Sequence, residues 1–130
     1  MSKGNTKILI IDDSNTNVVL LEAVFSGKGY TVETALNAYE AFNSMEKEKP
    51  DLILLDLLMP KISGFDFMEN IKSNDQYKDI PVIVISAVSD YDNVQKIKNM
   101  GIYDYIKKPV DIEELEEKVE KIINFSDVKH

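Results

Sequence analysis

The sequence predicts an α/β fold in which a parallel five-stranded sheet is covered by helices on both faces. Five short apolar runs alternate strictly with five longer stretches whose apolar residues recur at helical spacing. Parallel strands need such crossover helices, and a strand with consecutive apolar residues is buried on both faces. The length of 130 residues suits one domain and is too short for two.

The five predicted strands are short runs bounded by turn residues. After their first position, the first and third runs contain only large aliphatic residues, as expected of central strands. The second run is half polar, which favours an edge position, and Pro81 opens the fourth. The predicted strands comprise residues 7–11, 30–34, 51–55, 82–85 and 103–107.

The five predicted helices follow the strands, and each carries an apolar stripe. Gly27 and Gly29 are expected to end the first helix, because glycine readily adopts the left-handed conformation of a helix C-terminus. Asp111 and Glu114 resemble the capping box that begins a helix. The fourth helix has the thinnest stripe, so we expect it to be the least firmly anchored. The predicted helices comprise about residues 15–27, 37–47, 65–73, 90–100 and 111–123.

Composition excludes several classes of protein. With 15 basic and 23 acidic residues, the net charge of -8 disfavours direct binding to nucleic acid or to anionic membranes. The sequence has no cysteine, and its one histidine is His130, so disulfides, thiolate nucleophiles, serine-hydrolase triads and histidine metal sites are excluded. No apolar stretch approaches the ~20 residues that span a bilayer, and the first residues lack the apolar segment of a secretory signal. We therefore expect a cytoplasmic protein.

Reactive side chains follow four of the predicted strands. Asp12 and Asp13 follow the first strand, Asp56 follows the third, Ser86 follows the fourth, and Lys108 lies just beyond the fifth. Because the carboxyl ends of parallel strands share one edge of a sheet, we expect these five side chains to be neighbours in space. That edge is where open α/β sheets bind their ligands.

The chemistry of this predicted cluster points to magnesium and to phosphoryl transfer. Two carboxylates about 4 Å apart repel by ~4 kcal/mol at an effective dielectric of ~20, so three of them need a cation or a raised pKa. Oxygen ligands without histidine or cysteine suit Mg²⁺. Ser86 and Lys108 can contact the oxygens of a transferring phosphoryl group. Asp56 would be the nucleophile, because carboxylates form aspartyl phosphates.

Each of these residues also has an ordinary structural explanation when it is taken alone. An Asp-Asp pair after a strand is usually a turn and a helix cap, and Asp56 could merely end its strand. Ser86 alone suits a turn hydroxyl, Lys108 a solvated charge, and Gly64 a simple turn. Four reactive strand ends that together complete one site are hard to explain in this way.

The motifs around these residues resemble those of the receiver domain of bacterial two-component response regulators. They are Ile10-Ile11-Asp12-Asp13-Ser14, Asp56-Leu57-Leu58-Met59-Pro60 with Gly64, Val84-Ile85-Ser86-Ala87, and Asp104-Tyr105-Ile106-Lys107-Lys108-Pro109. The resemblance covers about residues 7–124 and makes residues 1–130 a single receiver domain. It implies a flavodoxin-like (βα)5 sandwich whose parallel sheet has the strand order 2-1-3-4-5.

The resemblance gives Asp56 the central role. It would accept a phosphoryl group from the phosphohistidine of a sensor histidine kinase or of a phosphotransfer protein. Asp13, Asp56 and the backbone carbonyl of Leu58 would ligate Mg²⁺, and Asp12 would hold the ion mainly through water. The chain would then be a phosphate-accepting signalling domain rather than an enzyme, with only autocatalytic phosphotransfer and autodephosphorylation.

The resemblance also implies a conformational switch. Ser86 would bond a phosphoryl oxygen in the active state, and Lys108 would pair with the phosphate. The peptide bond between Lys108 and Pro109 would be cis. Tyr105 would turn inward as Ser86 moves toward the phosphoryl group, which is a shift between two populated states.

The same resemblance suggests how the signal is passed on and how long it lasts. The face formed by the fourth helix, the fifth strand and the fifth helix would bind a downstream protein target or a missing output domain. The domain would be a monomer or a phosphorylation-dependent dimer. Leu58 and Val88 lie two residues past Asp56 and Ser86, where apolar side chains predict slow self-dephosphorylation.

Two alternatives remain open at this point. The first is an inactive relative of receiver domains that only binds proteins, although every residue of the site is present. The second is a phosphatase with an aspartate nucleophile. Such phosphatases typically have a second carboxylate two residues after the nucleophile, and this sequence has Leu58 there. A Walker-type nucleotide site is absent, because no glycine-rich Gly-Lys-Ser/Thr loop follows the first strand.

Overall fold

The computed structural model describes residues 6–57, 63–87 and 90–128, with side chains through residue 124. Five strands and five helices alternate along the chain, as the sequence predicts. The strands are β1 (Lys7–Ile11), β2 (Thr31–Ala35), β3 (Leu52–Leu55), β4 (Val82–Ser86) and β5 (Asp104–Lys107). The helices are α1 (Asn15–Gly27), α2 (Ala38–Lys47), α3 (Gly64–Lys72), α4 (Tyr91–Lys98) and α5 (Ile112–Val128).

All five strands form one parallel sheet in the order β2-β1-β3-β4-β5, which confirms the predicted fold. The half-polar β2 lies at an edge, and every residue of β1, β3 and β4 is buried. Consecutive apolar residues are required there because helices cover both faces of these central strands. The carboxyl ends of all the strands therefore meet at one edge of the sheet.

Two apolar cores lie on opposite faces of the sheet. On one face α2, α3 and α4 pack against the strands through residues that include Met45, Phe67 and Ile97. On the other face α1 and α5 pack through residues that include Phe25 and Leu115. Only one residue of α4, Ile97, is fully buried, which agrees with the thin apolar stripe predicted for that helix.

Each helix begins at the carboxyl edge of the sheet with a polar cap. The capping side chain accepts a hydrogen bond from a backbone N–H of the first helical turn, which satisfies a donor that the helix itself cannot. The capping residues are Ser14, Asn37, Ser63, Asp90 and Asp111.

The structure corrects the prediction that both Gly27 and Gly29 end the first helix. Gly27 is still helical, whereas Gly29 adopts the left-handed conformation with φ 98°. The N–H of Tyr30 then donates to the carbonyl of Phe25, so β2 begins at Thr31 and not at Tyr30. The left-handed glycine that terminates the helix is therefore Gly29, two residues past the last helical residue.

Within the described ranges, no helix has both the length and the apolarity needed to cross a membrane.

Candidate functional site

The carboxyl end of β1 presents two carboxylates in different environments. Asp12 is buried and Asp13 is exposed. The N–H of Asp12 continues the ladder by donating to the carbonyl of Ala35 at 3.1 Å. Its Oδ1 accepts the N–H of Ser14 at 2.9 Å, so the start of α1 fixes the carboxylate against the sheet edge.

Asp56 lies at the carboxyl end of the neighbouring strand β3. Its N–H donates to the carbonyl of Ile11 at 2.9 Å, and the residue is 5% exposed. One carboxylate oxygen from each of Asp12, Asp13 and Asp56 lies within 4.8 Å of the others. This all-oxygen donor set fits a hard cation such as Mg²⁺, which takes one or two carboxylates and keeps several waters.

Lys108 connects two of these carboxylates. Its ammonium donates to Oδ2 of Asp12 at 3.2 Å and to Oδ2 of Asp56 at 3.1 Å. Its backbone N–H donates to the carbonyl of Ser86 at 2.9 Å, and the Lys108–Pro109 peptide bond is cis. Burial alone would lower the pKa of the ammonium, but the hydrogen bond and charge of Asp56, with those of Asp12, raise the pKa above its ordinary 10.5. Lys108 is therefore held in its charged form.

Ser86 and Tyr105 meet on the face of the sheet covered by α3 and α4. Ser86 is fully buried and Tyr105 is half-buried. Their side chains are hydrogen-bonded to each other. Burial raises the pKa of the Tyr105 phenol, as do the charges of Asp56 and Asp90, and the hydrogen bond with Ser86 opposes them only in part. The two residues predicted to form a switch are thus in contact.

Gly64 has a role that the sequence did not indicate. A simple turn was expected to explain it, but its φ is not in the left-handed region, and it is the first residue of α3. A Cβ at this position would lie 2.5 Å from Cα of Leu57 and 3.1 Å from the carbonyl oxygen of Asp56. Glycine is needed here because α3 packs directly against the backbone that carries Asp56.

Asn17 is a second residue of the site whose role the motifs in the sequence do not indicate. It lies in the first turn of α1, and its side-chain amide donates to Oδ2 of Asp12 at 3.4 Å. A polar residue in a first helical turn looks like an ordinary surface residue. The available signal was its position three residues after the cap Ser14. Residues three apart are neighbours on a helix surface, so Asn17 is expected on the same side of α1 as Ser14.

The structure brings together Asp12, Asp13, Asp56 and Lys108, and it places Ser86 against Tyr105. Leu58 and Val88 lie outside the described residues. The Leu58 carbonyl as a ligand of Mg²⁺, and the influence of Leu58 and Val88 on the lifetime of the phosphoryl group, therefore stay predictions.

The chain is a parallel α/β sandwich with three carboxylates and a lysine at the carboxyl edge of its sheet. Comparison with known proteins shows the family to which the chain belongs. The sequence model of the response regulator receiver domain matches residues 8–120. Sporulation initiation phosphotransferase F of Bacillus subtilis is 36% identical over 119 residues, which are 92% of this chain and 94% of that protein. The chain belongs to the response regulator receiver family of two-component signalling.

Other relatives are longer than this chain. The alkaline phosphatase synthesis transcriptional regulatory protein PhoP of Bacillus subtilis is 34% identical over 125 residues. Those residues are 95% of this chain and 51% of PhoP. The chain thus spans about half the length of several transcriptional regulators that it matches.

Solved structures agree with the family assignment. A two-component response regulator from Clostridium difficile superposes with a TM-score of 0.86 at 28% identity, and the match covers 92% of this chain and 97% of that one. The chemotaxis protein CheY4 of Vibrio cholerae superposes with a TM-score of 0.83 at 28% identity, over 90% and 98% of the two chains. The flavodoxin-like strand order is that of these CheY-like domains.

Proposed function

We propose that this receiver domain accepts a phosphoryl group on Asp56 from the phosphohistidine of a sensor histidine kinase or a phosphotransfer protein. The observation that carries the proposal is the position of Asp56. It is a buried carboxylate that contacts a lysine at 3.1 Å and lies beside two further acids. A buried nucleophile with a fixed cation beside it is suited to a group that brings negative charge.

In the proposed reaction, a carboxylate oxygen of Asp56 attacks the phosphorus atom. An O–P bond forms as the N–P bond of the phosphohistidine breaks, and the electron pair of that bond stays on the imidazole nitrogen. Lys108 already lies beside Asp56, so it can pair with a phosphoryl oxygen without a large movement. Its charge would oppose the negative charge that the phosphoryl group brings into the site.

Asp13 and Asp56 are the proposed direct ligands of Mg²⁺, with the carbonyl of Leu58, and Asp12 would hold the ion mainly through water. A bound magnesium ion would neutralise charge on the carboxylates and on the phosphoryl oxygens. The carboxylate oxygens of Asp12, Asp13 and Asp56 lie within 4.8 Å of one another, which supports a cation shared by all three.

Ser86 and Tyr105 are the proposed switch. In this structure Ser86 is hydrogen-bonded to Tyr105, and in the phosphorylated state it would bond a phosphoryl oxygen instead. The exchange would change the packing of Tyr105 on β5, beside α4. That helix has a single fully buried residue, Ile97, so little packing opposes its movement. We propose that a downstream target or an output domain reads this change on the face formed by α4, β5 and α5.

A small-molecule phosphodonor tests the proposal without requiring the kinase. Acetyl phosphate and Mg²⁺ should add a single phosphoryl group that is stable in acid and labile in base, measured by mass spectrometry of the intact protein. The adduct should disappear in Asp56→Asn. It should persist in the control Asp75→Asn, since that carboxylate is 96% exposed and contacts only Lys78 among the ion pairs of the described residues.

The outcomes separate the alternatives. An adduct that persists in Asp56→Asn, or no adduct at all in the wild type, would contradict the proposal. The second result would favour an inactive relative that only binds proteins. Continuous release of phosphate at high turnover would favour a phosphatase instead.

A further inference from the structure

The first turn of α1 holds Asp12 at both of its carboxylate oxygens. Oδ1 accepts the backbone N–H of Ser14 at 2.9 Å, and Oδ2 accepts the side-chain amide of Asn17 at 3.4 Å. The same Oδ2 atom accepts a hydrogen bond from the ammonium of Lys108 at 3.2 Å. Asp12 therefore accepts from two neutral donors, the cap Ser14 and Asn17 of α1, and from one charged donor that it shares with Asp56.

These donors affect the charge of Asp12 differently. Lys108 orients the carboxylate and also cancels part of its charge, and it can move to a phosphoryl group that arrives on Asp56. The Asn17 amide is uncharged and is attached to a helix. It can therefore orient Asp12 while leaving the negative charge available to a cation, whether or not Lys108 stays.

The surroundings of Asn17 support such a role. A cavity of about 250 Å³ lies between α1 and the residues after β5, and Asp12, Asn17 and Lys108 all line it. A cavity of that size admits water. Without the amide, a mobile water would be the alternative donor to Oδ2 of Asp12. Asn17 places a fixed donor at that point.

We propose that Asn17 is a positioning residue for the cation site and acts through Asp12. The proposal rests on the function proposed above, because it assumes that the acidic cluster binds Mg²⁺. Loss of a hydrogen-bond partner of a direct metal ligand typically weakens metal affinity by roughly 10–100-fold, and the low end of that range applies here because Asp12 would hold the ion mainly through water. Water in the cavity can replace part of the lost contact, so we expect about a 10-fold weaker affinity in Asn17→Ala.

Magnesium alone is the first probe. The affinities of the wild type, Asn17→Ala and the control Asn15→Ala are measured by following backbone amide signals in an NMR titration with MgCl₂. Alanine preserves the helix, and the cap survives because Ser14 accepts the backbone N–H of residue 17. The dissociation constant should rise about 10-fold in Asn17→Ala and less than about twofold in Asn15→Ala. Equal affinity in all three proteins would overturn the proposal.

A double-variant comparison tests whether Asn17 acts through Asp12. In an Asp12→Ala background, the further change Asn17→Ala should leave the magnesium affinity unchanged, because the carboxylate that it orients is gone. The same loss in both backgrounds would overturn the positioning role, and it would do so even if Asp12→Ala binds more weakly than the wild type.

Phosphorylation by acetyl phosphate supplies an independent measurement. In Asn17→Ala the half-saturating Mg²⁺ concentration should rise about 10-fold, while the rate at saturating Mg²⁺ stays within about twofold of the wild type. An equal loss of rate at every Mg²⁺ concentration would contradict positioning. Because the magnesium titration contains no phosphodonor, a wild type that binds Mg²⁺ but forms no adduct would refute the proposed function separately.

Discussion

The two ends of the sheet each contain a sheltered lysine, but the partners of the two lysines differ. At the amino end, the Lys7 ammonium contacts the carboxylate of Glu48 at 3.4 Å and its backbone carbonyl at 3.2 Å. At the carboxyl end, Lys108 contacts Asp12 and Asp56 at 3.2 and 3.1 Å. The Glu48 side chain is 70% exposed, whereas those of Asp12 and Asp56 are 5% and 6% exposed. Water can therefore replace Lys7 as a partner of Glu48, whereas a neutral water beside the buried Asp12 and Asp56 cannot supply the positive charge of Lys108.

This difference separates a structural contact from a functional one. Lys7 joins β1 to the end of α2, and its partner keeps most of its hydration. Lys108 lies among three carboxylates, so the described site has more negative charge than its one ammonium can cancel. Proteins retain such local conflicts where function needs them, at a cost in stability.

The largest expected effect comes from making the same change in both lysines. Lys108→Met should lower the free energy of unfolding by about 3 kcal/mol, because it leaves buried carboxylates facing each other without a cation. Lys7→Met should change it by less than about 1 kcal/mol, since Glu48 can return to water. Urea denaturation at neutral pH without Mg²⁺ measures both values. Equal losses at the two positions would show that the comparison is wrong.

A pair of glycines sharpens the comparison of the two ends. Gly64→Ala should lower the free energy of unfolding by about 2 kcal/mol, because its Cβ would lie 2.5 Å from Cα of Leu57. Gly27→Ala at the other end should be neutral or should stabilise by up to about 1 kcal/mol, because nothing lies within 4 Å of its Cβ and alanine favours the helix. Thermal unfolding of both variants gives the difference, and a stable Gly64→Ala would disprove the close backbone approach.

The smallest expected effect is the pH dependence of an ion pair at the amino end of β5. Burial raises the pKa of Asp104, but the hydrogen bond from Lys118, the N–H of Tyr105 and the charges of Lys118 and Lys98 lower the pKa below its ordinary 3.8. A carboxylate whose pKa is lower in the folded state stabilises the fold above the unfolded value of 3.8, and the effect is lost as the pH falls through the folded value.

The variant Asp104→Asn tests this dependence. It should be less stable than the wild type at pH 7 by under about 1 kcal/mol, since the pair is partly exposed to solvent. The difference should close as the pH falls below 3.8. The control Asp75→Asn, at a carboxylate that is 96% exposed, should show no such pH dependence in urea titrations. A gap that widens in acid would contradict the assigned direction of the pKa.

Sequence patterns predicted the elements and the edge of the sheet where the reactive residues meet. The alternation of apolar runs predicts parallel strands, and parallel strands bring Asp12 and Asp56 to the same edge. The resemblance to receiver domains supplied the strand order. Contacts that depend on how closely two elements approach were not predictable, and the space at Gly64 is an example. For Asn17, the spacing from the cap Ser14 was a signal for its position on α1, but not for the hydrogen bond to Asp12. No periodicity in the sequence encodes those distances.

The most direct test of the central claim is the location of the phosphoryl group. Borohydride reduces an aspartyl phosphate to homoserine, so protein treated with acetyl phosphate and Mg²⁺ can be reduced, digested and mapped by tandem mass spectrometry. We predict homoserine at position 56 and at no other position, and none when Mg²⁺ is omitted. Homoserine at position 12 or 13, or an unmodified Asp56 in protein that carries a phosphoryl group, would contradict the role assigned to Asp56.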